Sequence, residues 1–202
     1  VWLYQLERAE KSAQFRRSSY VLTQMGGAQA SLPQFLIVFH KVDEAADLDA
    51  YVARIGAAGR AIGQLHERAK LNAAGGVRPP LFAYEGVIEQ AKNVITGAPF
   101  AGKGASPVYA DVKSEIDALL KAGKIDATKA AAYDAAAKKA LTEQFGPAFA
   151  SLIAWFEADK ANADTVATGV GKLPNGADYY KDRLAGSTTT TMTADEIHAF
   201  GL

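Results

Sequence analysis

His40, His66 and His198 are the only imidazoles in the 202-residue chain, which contains no cysteine. A zinc site on one helix needs two histidines four residues apart, because that spacing puts both rings within reach of one ion. His66-Glu67-Arg68-Ala69-Lys70 begins such a motif and ends in a lysine, whose ammonium would repel a cation. His66 therefore reads as a solvated helix histidine. His198 lies close to Asp195 and Glu196, a grouping common on helix faces. Without cysteine there is no disulfide, no thiolate nucleophile and no thiolate metal site. No catalytic residue and no metal ligand is assigned, and no cofactor is expected in this chain.

Two other patterns invite chemistry. Gly97 to Gly104 nearly spells the phosphate loop G-x-x-x-x-G-K-[ST]. Gly104 stands where the hydroxyl for magnesium belongs, and Pro99 removes one N–H from the would-be cradle. No G-x-S-x-G elbow exists, so serine offers no nucleophile. Tyr179-Tyr180 is the second pattern. Adjacent tyrosines on a helix point to different sides, so one can pack while the other presents its hydroxyl. Together with Thr188 and Thr189 they are the candidate substrate-binding residues, suited to a peptide backbone. The plainer reading is two amphipathic rings at a surface.

The elements that would carry these residues are helices. Hydrophobic residues are 49% of the chain, enough for a real core. Alanine is abundant, and the apolar residues recur at helical spacing. Trp2, Leu6, Ala9, Ala13 and Tyr20 predict a first helix ending near Gly26-Gly27. Strand, short helix and buried turn are all open for Leu32 to His40. Leu48, Tyr51, Val52, Ile55, Ala58, Ile62 and Leu65 predict a long amphipathic helix that stops at Gly75-Gly76. Pro79-Pro80 starts another, and Ser106-Pro107 caps and opens a third. Asp126 caps the next helix, whose stripe runs from Tyr133 to Phe156 with a kink or break at Gly146-Pro147. A short helix is expected over Asp178 to Leu184. Residues 187–192 read as a short extended segment, since threonine resists helix. Thr193 and Glu196 match a capping box. The fold class is thus all-α, a bundle-like array of amphipathic helices. Residues 1–202 form a single helical region, with loops at 97–107 and 165–176 as internal boundaries.

The 22 basic and 22 acidic residues cancel. Net neutrality without a basic stripe argues against nucleic acid as a partner. No apolar run approaches the ~20 residues of a membrane-spanning helix. The chain begins Val1-Trp2-Leu3-Tyr4, which reads as the inside of a helix and suggests trimming or a fragment.

Three stretches resemble one bacterial family, the domain-of-unknown-function family 885. The first is Gly26-Gly27-Ala28-Gln29-Ala30-Ser31-Leu32-Pro33-Gln34-Phe35-Leu36, with Phe39-His40 and Tyr51-Val52-Ala53-Arg54 after it. The second is Gly76-Val77-Arg78-Pro79-Pro80-Leu81-Phe82, followed by Val94 to Phe100. The third is Leu173-Pro174-Asn175-Gly176-Ala177-Asp178-Tyr179-Tyr180, then Thr188-Thr189 and Thr193 to Leu202. The resemblance implies a longer helical protein of zincin-like metallopeptidase character, exported or lipoprotein-anchored. Its metal-binding helix would lie downstream of the stretch resembled here, so zinc is implied for the parent only. This chain would be the amino-terminal helical part, a wall of a cleft whose peptide substrate also needs the carboxy-terminal half. Homodimerisation through exposed apolar surface is a further expectation. The bacterial envelope or periplasm is the expected location, with the cytoplasm left open. The rival is a non-enzymatic helical envelope protein that binds a peptide or protein partner.

Overall fold

The computed structural model describes residues 1–201, and Leu202, the last residue of the third family-like stretch, lies outside the described residues. The first helix, α1, spans Trp2–Ser12 and tightens into a 3₁₀ turn over Ala13–Phe15. It ends well short of Gly26. The chain instead leaves helical geometry so that Leu22 can enter the core, where it is buried. The segment left open in the sequence is α2, Ala28–Phe39, with Pro33 inside it. Proline costs one intrahelical bond there, but it is buried, as are Gln29 and Leu36 beside it.

Helix α3, Ala45–Ala74, is the axis of the molecule. Its start is a capping box in which Glu44 and Asp47 each accept from the other's end of the first turn. Leu48, Tyr51, Ile55 and Ile62 are fully buried along one face, the stripe expected from their spacing. Gly76 (φ 82°) follows its end in the left-handed conformation. Helix α4, Leu81–Val94, begins after Pro80, which sits at the cap position just outside the first turn. Helix α5, Pro107–Lys121, has proline in its first turn. Ser106 precedes it without a side-chain capping bond, and its buried hydroxyl has no hydrogen-bond partner among the described residues. Helix α6, Ala127–Ala140, is capped by Asp126, which accepts from the Lys129 N–H at 2.7 Å.

At Gly146-Pro147 the helix widens rather than breaks. Leu141–Phe145 form a π turn, in which the Gly146 N–H reaches back to the Leu141 carbonyl, and α7 continues over Gly146–Asp159. The wider turn accommodates a proline that can neither donate nor tolerate the carbonyl four residues before it. The π turn brings Phe145 and Phe149 into a stacked pair, 4.5 Å between centroids, in the core. It also lays the Gln144 backbone against Gly59 of α3, closer than any side chain would permit. Helices α3, α6 and α7 with this turn form one packed layer; α2, α4 and α5 complete the core.

Beyond the core lie α8, Gly176–Thr188, and α9, Ala194–Gly201. Ser187 and Thr188 finish α8, and residues 189–193 are the non-helical stretch. The Thr188 hydroxyl donates to the Leu184 carbonyl at 2.9 Å, and Thr189 turns left-handed (φ 55°) to stop the helix. Thr193 and Glu196 close the expected capping box ahead of α9. No strand forms among the described residues.

Candidate functional site

A cleft of about 510 Å³ is lined by both polar and apolar side chains. Three separate segments line it: Tyr20 to Met25, Gly76 to Ala83, and Asn162 to Leu173. Met25, Phe82 and Val166 put large, exposed apolar surface at its mouth. The second and third family-like stretches reach it, through Arg78 and Phe82 and through Leu173, and Met25 adjoins the first.

The cleft is held from beneath by Asp159. The Arg78 guanidinium grips this carboxylate with two N–H donors, at 2.9 and 3.0 Å, and gives a third to the Ala73 carbonyl at 2.8 Å. The Tyr84 hydroxyl and the Asn162 amide also donate to Asp159, at 2.7 and 3.0 Å. Burial alone would raise the Asp159 pKa; donors from Arg78, Tyr84 and Asn162 outweigh it and hold the carboxyl below its usual range. Arg78 is therefore a structural cation, with its fork spent on the frame. The far wall is tied in by the Leu81 N–H, which donates to the Asp164 carbonyl at 2.8 Å. Across the rim, Lys172 pairs with Asp164 at 2.7 Å.

The near wall hangs on two glutamines. Gln29 donates to the Thr23 carbonyl at 2.7 Å and to Gln90 at 2.8 Å, while Gln90 donates to the Gln24 carbonyl at 2.9 Å. These bonds satisfy backbone that has no helix or sheet of its own. Tyr20 stands in the wall, its phenol pKa raised by burial first and then by the charge of Asp164. It is a hydrogen-bond donor at neutral pH. Apolar mouth, phenol and an exchangeable ion pair can hold an extended backbone and its side chains. They include no nucleophile paired with a base.

None of the four candidate binding residues lines this cleft. Tyr179 packs on Phe15 (5.8 Å between centroids), with the Arg183 guanidinium 5.6 Å over its ring. It is near enough that its phenol bears on Tyr20. Tyr180 faces solvent. The Thr188 hydroxyl is spent on α8, and Thr189 is exposed at the helix end.

The histidines stay apart. His40 is buried; its Nε2–H donates to the Asp47 carbonyl at 2.9 Å, leaving Nδ1 to accept from Arg54. His66 is not solvated: only 3% of it is exposed, and its ring lies 5.6 Å from that of Trp155. Desolvation first, then the charge of Lys70, holds its pKa down, so the ring is neutral at pH 7. The spacing that failed as a metal motif places it beneath Trp155 instead. His198 sits on the peripheral α9. Among the described residues no three His, Cys, Asp or Glu side chains are placed to hold a metal ion. These side chains do not fit zinc, and no step through zinc is assigned to them. The glycine-rich loop at 97–104 is no phosphate cradle either. The Gly97, Ala98 and Phe100 amides are spent on carbonyls inside the loop, and Phe100 packs toward Gly146.

No helix among the described residues is long and apolar enough to cross a membrane. No curated protein matches the chain. A solved structure described as "the putative lipoprotein from Colwellia psychrerythraea" is similar in fold, with a TM-score of 0.74 at 17% identity. The match covers 90% of this chain and 30% of that one, so the chain spans under a third of that protein's length. The family model described as "Bacterial protein of unknown function (DUF885)" matches residues 1–202, and the chain belongs to that family.

Proposed function

We propose that this chain is the helical part of a longer envelope protein and supplies one wall of a peptide-binding cleft. Zinc-dependent hydrolysis would be carried by residues outside 1–202. The observation that supports this reading is the cleft itself: an apolar mouth of Met25, Phe82 and Val166 over a frame fixed by Asp159. A site with apolar walls and a few fixed polar groups is built for ligand binding. The similar fold inside a protein about three times as long supports the partial character of the chain. The lipoprotein description of that neighbour supports an envelope location.

The test uses the full-length protein. Peptide hydrolysis that stops with chelator is expected, along with one zinc per chain. Phe82→Ala should raise KM roughly tenfold, since losing a buried aromatic contact with ligand costs about 1–3 kcal/mol, and should leave kcat and zinc content alone. Unchanged KM in that variant would remove the cleft from the peptide path. Tight peptide binding without turnover would favour the non-enzymatic envelope module.

A further inference from the structure

Helix α2 has no charged residue in its twelve positions, Ala28–Phe39. Its inner face is buried through Gln29, Pro33 and Leu36. Its outer face runs Ser31, Gln34, Phe35, Val38 and Phe39 at helical spacing. Phe35, Val38 and Phe39 are 48%, 56% and 69% exposed, and the two rings stack at 6.0 Å. A helix on the outside of a molecule normally turns charged residues to water; one that is apolar all round is a buried helix. Helices α3 and α6 obey that rule, turning out Arg60 and Glu67 and Lys129 and Lys139, and α7 turns out only small residues, among them Ala150, Ser151, Ala154 and Ala158. Helix α2 alone among these has no charged residue and turns large apolar side chains outward.

We propose that in the intact protein the Phe35–Val38–Phe39 face is covered by polypeptide outside residues 1–202, which makes α2 a core helix of the whole molecule. Length points to this occupant. In the similar fold, more than two thirds of the chain lies outside the matched region, enough polypeptide to cover this face. A patch this apolar on a single stable element is the surface such packing needs. The inference rests on the reading of the chain as one part of a longer polypeptide, and on neither the cleft nor zinc.

The experiment places Val38→Cys in the full-length protein and follows maleimide labelling at that thiol by peptide mass spectrometry. Native protein should label about a hundredfold more slowly than protein in denaturant, because only opening of the covering segment admits the reagent. The slowing should be the same on dilution across the monomeric range. A native rate within about tenfold of the denatured rate would show an open face and overturn the proposal. Protection that fades on dilution would assign the face to a second copy and overturn it equally. Hydroxyl-radical footprinting of the unsubstituted protein tests the same face without a variant: Phe35 and Phe39 should resist oxidation, and free-peptide rates would refute the covering segment. Absent peptidase activity would leave this result standing, so the two readings fail separately.

Discussion

Asp159 is the residue on which the candidate site depends. It is buried and takes donors from Arg78 in the α3–α4 connection, Tyr84 on α4 and Asn162 in the turn after α7. Asp159→Ala leaves a buried phenol and a guanidinium without their acceptor and should cost about 3–5 kcal/mol in urea unfolding. Tyr84→Phe removes one bond and should cost only about 1 kcal/mol. The pH dependence has a definite sign. The Asp159 pKa lies below its ordinary value in the folded chain, so the unfolded state takes up protons first as pH falls. The stabilisation is complete above about pH 4, the unfolded carboxylate value, and is lost as pH drops through the folded value. The wild-type chain should therefore destabilise steeply in acid, and the Asp159→Ala chain less so. Parallel acid curves for the two proteins would show that some other carboxylate governs the transition.

At the level of the element, the contrast between α3 and the cleft shows what the sequence discloses. The α3 stripe was legible because its apolar residues repeat every three or four positions, and burial follows that period. The Asp126 cap and the Thr193–Glu196 box were legible because capping is a local contact. The π turn was not, because its cause lies in pairing: Pro147 forces a change of hydrogen-bond register, and Gly59 on a distant helix supplies the room. The cleft was invisible for the same reason, since Tyr20, Phe82 and Val166 lie tens of residues apart. The tyrosine pair drew attention by its chemistry, and the fold sets it outside the lining of this cleft, with Tyr179 on Phe15. The α3–π-turn contact makes a sharp comparison. A Cβ on Gly59 would lie 2.6 Å from the Gln144 carbonyl oxygen, against backbone that cannot step aside. Gly59→Ala should cost about 1–3 kcal/mol by overpacking. A Cβ on Gly56 meets the Gln144 side chain, which can swing away, so Gly56→Ala should be near neutral or gain from helix propensity, by at most about 1 kcal/mol. Equal melting temperatures for the two variants would contradict the close backbone approach.

Across the whole molecule, stability should fall into two tiers. Helices α3, α4 and α7 share one core, with Tyr84, Phe149 and Phe156 fully enclosed between them. Helix α1 has no buried residue and eleven positions, too few for a helix to stand by itself in water. It is held by α8. Arg8 donates to the Asp182 carbonyl at 2.6 Å and pairs with its carboxylate at 2.9 Å, and the Ser12 hydroxyl donates to the same carboxylate at 3.0 Å. Burial would raise the Asp182 pKa, but donors from Arg183 and Ser12, with the charges of Arg183 and Arg8, keep it low and the group ionised. One residue, through its carboxylate and its carbonyl, thus fastens an otherwise marginal helix to the body. Native-state hydrogen exchange on the 202-residue chain should show α1, α8 and α9 opening first and α3 and α7 last. Asp182→Ala should bring the α1 amides to coil-like exchange while the slowest α3 amides keep their rates. Protection of α1 that survives this substitution would mean that Phe15 against Tyr179, or the Arg8 bond to the residue 182 carbonyl, is the fastening rather than the carboxylate. A loss of protection throughout α3 would mean that the molecule opens as one cooperative unit and has no peripheral tier.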